Sequence, residues 1–142
     1  MIYRPRHFAP HELVDPVCFS KFGADAVAFF RPELLISLDM LRQILGRPFT
    51  VNNWKDGGQF KWRGLRTQDC TQGAQFSMHR FGAAVDFDVK GMPAEEVRVW
   101  LRAKWADYPD FGNGITRIEN GVNWVHVDCR PTNSYTLVEF AP

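Results

Sequence analysis

The alternation of apolar and charged side chains over residues 83–89, AAVDFDV, restricts the fold more than any other stretch of this chain. Its larger apolar side chains fall on one face of an extended segment, while Asp86 and Asp88 fall on the other. This pattern predicts a β-strand that packs one face on a hydrophobic core and carries carboxylates on the opposite face.

Two segments with helical periodicity accompany this strand. Residues 31–49, RPELLISLDMLRQILGRPF, place leucines three and four apart, with Pro32 suited to the first helical position and Gly46 suited to ending the helix. Residues 92–108 begin with a proline and acidic residues and repeat a buried face, which predicts a second helix. Helices mixed with an antiparallel hairpin late in the chain predict an α+β fold.

The hairpin is predicted from Asn120-Gly121, a favoured two-residue turn between two alternating runs. On its second strand four residues share one face, namely Val122, Trp124, His126 and Asp128, and Val125 and Val127 point the other way. His126 therefore lies opposite two core valines and beside an aspartate, which is not the pattern of a core histidine.

A second histidine, His79, precedes Asp86 by seven residues, with small residues at positions 82–84 between them. Either this segment is a tight turn into a buried strand, or it supplies half of a metal site. His79, Asp86 and His126 together would offer three of the roughly four ligands of zinc, leaving one position for water. Composition and spacing leave both interpretations open.

Composition excludes several classes of partner. A net charge of +1 and the lack of a basic patch argue against a nucleic-acid partner. No apolar run approaches the roughly 20 residues of a membrane-spanning helix, so we expect no membrane segment. The first ten residues do not resemble a secretory signal peptide, so we expect the chain to be cytoplasmic at synthesis. Cys18, Cys70 and Cys129 are expected to be reduced thiols.

Two motifs resemble those of a known enzyme family. Ser77-x-His79-x-x-Gly82-x-Ala84-x-Asp86, followed by WVHVD at residues 124–128, is similar to the M15 zinc peptidases, which include D-Ala-D-Ala carboxypeptidases and phage endolysins. The resemblance spans roughly residues 30–130. It implies one domain over residues 1–142, with a small antiparallel sheet flanked by helices as in the hedgehog signalling domain. It also implies a single Zn²⁺ and cleavage of stem peptides in bacterial peptidoglycan.

The resemblance assigns roles to individual residues. His79, Asp86 and His126 correspond to the zinc ligands, and Ser77 to a hydrogen-bonding neighbour of the site. Substrate binding falls to an upstream arginine, with Arg66 the nearest match and Arg63 the second possibility, because a guanidinium suits a carboxylate. Trp124, on the metal face, is expected to form a wall of the substrate groove.

The general base departs from the family pattern. The family often carries a carboxylate three residues before its last zinc histidine, and here that residue is Asn123. Glu119 and Asp128 are the remaining candidates, with Glu119 preferred, although a flat hairpin with a two-residue turn would separate Glu119 from His126 by about 13 Å.

We expect a phage- or prophage-encoded, endolysin-like peptidase. The alternative is a non-catalytic peptidase-like structural or binding domain of a phage particle, which Asn123 favours.

Overall fold

The computed structural model describes residues 2–142, which form four α-helices and five β-strands. The helices are α1 (Pro16–Phe22), α2 (Pro32–Leu45), α3 (Ala94–Lys104) and α4 (Phe111–Gly114). The strands are β1 (Phe49–Thr50), β2 (Ala84–Val89), β3 (Arg117–Glu119), β4 (Val125–Asp128) and β5 (Val138–Phe140). The α+β prediction is confirmed. No helix among the described residues is long and apolar enough to cross a membrane.

The strands form one sheet in the order β1-β2-β4-β3-β5. Three of its strand pairs are antiparallel, but β5 runs parallel to β3. The expected purely antiparallel sheet is therefore corrected to a mixed one. The reason is that the chain leaves β4 at Asp128, passes β3 and reverses, so that Val138 of β5 starts beside Arg117 of β3.

One of the two predicted helices has the expected ends, whereas the second is shorter than residues 92–108, because α3 stops at Lys104 and a 3₁₀ turn follows at Trp105–Asp107. α2 begins at Pro32 and ends before Gly46, which has the left-handed conformation, and its leucine stripe is buried. The sequence analysis did not predict α1, although its signal is present. The Asp15 side chain accepts hydrogen bonds from the backbone amides of Val17 and Cys18, and Pro16 follows the cap.

The core lies between the helices and one face of the sheet. β2, β3 and β4 contribute completely buried residues to a continuous apolar cluster that also includes the leucines of α2 and α3. The members from these three strands are Val85, Phe87, Ile118, Val125 and Val127. Because side chains alternate along a strand, the opposite face of the same strands carries His126 and the carboxylates.

The connection between β3 and β4 differs from the predicted two-residue turn. Arg117 pairs with Asp128 and Ile118 with Val127, so residues 120–124 form a five-residue connection. Its cause is Arg98 of α3, whose buried guanidinium donates to the carbonyls of Val122 at 2.9 Å and Trp124 at 3.0 Å. These residues are bound to the helix and do not extend the ladder, so Trp124 precedes the strand.

Gly82 joins the turn that carries His79 to β2, and its backbone requires glycine. Its φ is +62°, and a Cβ there would overlap the carbonyl oxygen of Phe29. We expect Gly82→Ala to lower the free energy of unfolding by more than about 2 kcal/mol, because a left-handed alanine alone costs roughly 1–2 kcal/mol. Urea unfolding of the purified variant measures this loss.

Gly46→Ala is the matched control for this variant. Gly46 has a φ of +64° but open space where a Cβ would be, so only the conformational cost of roughly 1–2 kcal/mol applies. Equal destabilisation by the two substitutions would contradict the role of the close contact with Phe29.

Candidate metal centre

Three buried side chains converge on the polar face of the sheet. His79, Asp86 and His126 each offer a ligand atom, and these atoms all lie within 4.8 Å of one another. Asp86 lies between the histidines: its Oδ2 is 3.2 Å from Nε2 of His79, and its Oδ1 is 2.7 Å from Nδ1 of His126. The structure therefore brings the three predicted ligands together.

Strand register and one short turn position these side chains. Asp86 of β2 lies directly opposite His126 of β4 in the antiparallel ladder, which places both on one face. His79 belongs to a 3₁₀ turn, Met78–Phe81, that leads into β2. Ser77 caps this turn, because its Oγ accepts a hydrogen bond from the His79 backbone amide at 3.4 Å. The positive φ of Gly82 then redirects the chain into the strand.

The hydrogen bonds of the two imidazoles orient a different nitrogen of each ring toward the cluster. His79 Nδ1 donates to the carbonyl oxygen of Gly64 at 2.8 Å, which turns its Nε2 toward Asp86. His126 does the reverse, with Nε2 on Asp128 Oδ2 at 3.0 Å and Nδ1 toward Asp86. Each ring thus has an outer partner and turns its other nitrogen toward Asp86, where a metal ion would take the place of a proton.

Asp128 is the outer partner of His126, and further hydrogen bonds occupy both oxygens of its carboxylate. It is completely buried, and Arg117 donates to both of its oxygens, at 2.9 and 2.7 Å. The backbone amide of Arg130 adds a further bond at 3.1 Å. A carboxylate with these partners orients an imidazole, and it has little freedom to accept a proton from a substrate water.

The pKa values of this cluster show how strongly its charges interact. Burial would raise the pKa of Asp86, but hydrogen bonds from His126 and His79 outweigh it and lower the pKa well below its ordinary value. Burial would lower the pKa of His126, but hydrogen bonds to Asp128 and Asp86 raise it to about 9. Burial would also raise the pKa of Asp128, but His126 and Arg117 lower it to about 2.

This donor set fits zinc. The buried Asp86 carboxylate lies between the two histidines, and a divalent cation held by these three side chains would offset its negative charge. Two imidazole nitrogens and one carboxylate oxygen are also the donor types that catalytic zinc sites use, with a further position left open.

Glu119 lies next to this cluster, in contrast to the expected separation of about 13 Å. The β3–β4 register, carried one pair beyond Ile118 and Val127, sets Glu119 opposite His126 on the same face. Its side chain is half-buried, lines the cavity around the cluster and has no hydrogen-bond or ion-pair partner among residues 2–142. The assumed two-residue turn was wrong, and the longer connection brings this carboxylate to the site.

Phe140 of β5 is a site residue that the sequence analysis missed. It lies beside Glu119 in the parallel ladder, and its ring meets the His126 ring edge-on with centroids 5.5 Å apart. The Arg117 guanidinium lies 4.1 Å from the Phe140 ring centroid. The only sequence signal was the short alternation at residues 137–140, which is too brief to predict a strand pairing with β3.

The two candidate substrate arginines occupy different places. Arg66 donates through Nη2 to Asp86 Oδ2 at 3.4 Å and through Nε to the carbonyl of Trp62 at 2.9 Å, which holds its guanidinium at the cluster. Arg63 instead forms an ion pair with Asp88 at 2.9 Å. Of these two arginines, Arg66 is therefore the one within reach of a ligand bound at the cluster.

Two cavities meet at the cluster. The first, here called the metal pocket, has a volume of about 440 Å³ and is lined by the three ligand candidates, Glu119 and Phe140. The second, here called the aromatic groove, has a volume of about 560 Å³. Its lining includes Phe60, Trp62, Gln59, Gln72 and Asn123. Arg66, Asp86 and Trp124 border both cavities, so the two adjoin along these side chains. Asn123 lies in the groove and not in the metal pocket.

One wall of the metal pocket comes from residues 67–77, a loop without helix or strand. Gly73, Ala74 and Ser77 line the pocket. Arg80 organises this loop, because its guanidinium donates to the carbonyl oxygens of four loop residues, Thr67, Cys70, Gln72 and Ala74, at 3.0–3.4 Å. No sequence pattern indicated this role for Arg80.

An α+β fold with a buried His-Asp-His cluster in an open cleft defines a candidate metallohydrolase. The family model for Peptidase M15 matches residues 6–128, most of the chain. The chain therefore belongs to the M15 peptidase family, whose members are zinc-dependent. Comparisons with curated proteins and with solved structures find no match.

The bond from Asp128 to His126 leads to a prediction for metal affinity. We expect Asp128→Asn to weaken zinc binding by about 10–100-fold, because an amide supports the ligand imidazole less well than a carboxylate. Zinc titration against a competing chelator measures the change. Asp88→Asn is the control, since Asp88 is on β2 but contacts neither histidine. Unchanged affinity in Asp128→Asn would contradict the support role.

Proposed function

We propose that this chain is a zinc peptidase that hydrolyses peptide bonds in the stem peptides of bacterial peptidoglycan. His79, Asp86 and His126 hold the zinc ion, and residues 1–142 act as one domain. The observation that carries the proposal is Glu119, a carboxylate that lines the metal pocket opposite His126 and has no ion-pair partner in the described part of the chain, residues 2–142. Membership of the M15 peptidase family supports it.

The side chains of the cleft divide the catalytic work. When bound, zinc supplies Lewis-acid activation of water and of the scissile carbonyl. Glu119 takes the proton of the attacking water and returns it to the leaving amine, as a general base and then a general acid. Arg66 donates to a carbonyl or carboxylate of the substrate, for which its planar donors are suited. Asp128 and Gly64 keep the two imidazoles in their orientations.

The open cleft favours cleavage within a peptide over removal of a terminal residue. The metal pocket continues into the aromatic groove past Arg66, Asp86 and Trp124, so a substrate has room on both sides of the cluster. A carboxypeptidase needs a closed end that holds a terminal carboxylate. We therefore propose the endopeptidase type over the D,D-carboxypeptidase type.

The biological setting follows from the resemblance to phage lysis enzymes. We propose a phage- or prophage-encoded, endolysin-like enzyme acting on the cell wall. The alternative, a non-catalytic domain of a phage particle, depends on Asn123 replacing a catalytic carboxylate. That alternative is disfavoured because Asn123 lies in the aromatic groove, whereas Glu119 lies at the metal pocket.

Replacement of the proposed base tests the mechanism directly. We expect Glu119→Gln to keep zinc but lose peptidoglycan hydrolysis by roughly 10²–10⁴-fold, the usual effect of losing a general acid–base. Turbidity loss of purified cell walls and metal analysis give the two measurements. Glu139→Gln is the matched control, because Glu139 lies on β5, is bonded to Arg102 and is outside the metal pocket.

The result also decides between the remaining assignments. If Glu119→Gln hydrolyses walls as well as the parent while Asp128→Asn at saturating zinc does not, the base is Asp128. If the zinc-loaded parent hydrolyses no wall type, the protein is the structural domain of the alternative proposal.

The role of Arg66 is tested by a conservative substitution. We expect Arg66→Lys to lower kcat/KM by about tenfold or more at unchanged zinc content, since an ammonium replaces a planar fork of donors with a point charge. Steady-state kinetics on a synthetic stem peptide measure this effect. A larger loss in Arg63→Lys than in Arg66→Lys would transfer substrate binding to Arg63.

A further inference from the structure

We propose that the aromatic groove binds the glycan strand of the substrate, a polymer of N-acetylated amino sugars. The enzyme then acts on stem peptides that are still attached to their glycan. This inference rests on the peptidase function proposed above and assigns a second ligand class to the same cleft. Its support comes from the side chains that line the groove, from its volume and from its continuity with the metal pocket.

The first support is the exposed aromatic surface of the groove. Phe60 and Trp124 remain 40% and 37% exposed, and Trp62 is half-buried. Large apolar side chains that share an exposed concave surface usually mark a binding site. The C–H faces of pyranose rings pack against flat aromatic rings, so a sugar strand can cover such a surface while its hydroxyl groups stay hydrogen-bonded.

The second support is the neutral polar surface between these rings. Gln59, Gln72 and Asn123 line the groove, and a side-chain amide both donates and accepts hydrogen bonds. The acetamido and hydroxyl groups of an amino sugar need donors and acceptors of this kind. Amides bind neutral ligands without the desolvation cost of a charged group.

The charges of the groove are largely compensated, which disfavours a charged peptide as its occupant. The Arg63 guanidinium is paired with Asp88 at 2.9 Å and lies 4.2 Å from the Phe60 ring centroid. Lys61 is the groove cation without a carboxylate partner among residues 2–142, and its ammonium lies 5.7 Å from the Trp62 ring centroid. An acidic peptide segment held by Lys61 is therefore the competing occupant.

The third support is the size and place of the groove. Its volume of about 560 Å³ is in the range of roughly 300–1,000 Å³ typical of small-ligand sites, which accommodates a short oligosaccharide. It joins the metal pocket along Arg66, Asp86 and Trp124. A stem peptide attached to a sugar in the groove can therefore pass directly to the ligand cluster.

The decisive experiment compares one stem peptide in two forms, free and linked to its disaccharide. We expect kcat/KM to be at least about fivefold higher for the linked form, the effect expected of one or two aromatic contacts. In Trp62→Ala the ratio of the two kcat/KM values should fall to about one, and Trp62→Phe should largely keep it. Phe76→Ala, an exposed aromatic that lines neither cavity, should leave the ratio as in the parent.

Binding gives a second measurement that does not depend on hydrolysis. A β-1,4-linked tetramer of N-acetylglucosamine should bind the zinc-loaded parent saturably, observed through protein NMR shifts, and Trp62→Ala should weaken this binding at least about fivefold. The NMR spectrum of each variant also reports whether it is folded.

The outcomes separate this inference from the proposed function. Equal kcat/KM on the two substrates, together with no oligosaccharide binding, would overturn the glycan site while leaving the peptidase. If Lys61→Ala lowers kcat/KM equally on both forms and Trp62→Ala does not change their ratio, the groove holds peptide and the inference is also wrong. Saturable, Trp62-dependent oligosaccharide binding by a parent that cleaves neither form would support the glycan site and remove the peptidase.

Discussion

The buried carboxylate of Asp86 is the feature on which the rest of the site depends. An ionised carboxylate removed from water is very unfavourable unless it is paired and hydrogen-bonded. Here the carboxylate oxygens of Asp86 are approached by His79, His126 and Arg66. The backbone amide of Asp86 donates to the Arg63 carbonyl oxygen at 2.7 Å. Each of these contacts ties a different part of the chain to β2, so satisfying one carboxylate assembles the centre.

A second layer of contacts gives the centre its orientation. Gly64 accepts from His79, and Asp128, itself held by Arg117, binds His126. These outer partners leave opposite ring nitrogens of the two histidines facing Asp86, which a spacing motif alone does not specify. The outer layer also separates the two candidates for the base. The Asp128 carboxylate is bound by Arg117, His126 and Arg130, whereas the Glu119 carboxylate has no hydrogen-bond or ion-pair partner among residues 2–142 and lines the metal pocket.

The cleft also depends on contacts remote from the cluster. Arg98 of α3 binds the carbonyls of Val122 and Trp124, which shapes the β3–β4 connection and places Trp124 between the metal pocket and the aromatic groove. On the other side, Arg80 gathers four carbonyls of the loop that walls the metal pocket. Two arginines outside the chemistry therefore define much of the space that a substrate can occupy.

Local patterns in the sequence determined the α+β class, the bounds of α2, the strand β2 and the face on which Asp86 and His126 lie, because periodicity and helix ends depend on residues close in the chain. The motif spacing pointed to His79 as their companion.

The register of β3 on β4, the parallel pairing of β5 and the roles of Phe140 and Arg80 were decided only in the tertiary structure. They depend on contacts between distant segments, such as that between Arg98 and residues 122–124. A shift of register moves every cross-strand pair, and for this reason the position of Glu119 beside His126 could not be predicted from the turn sequence.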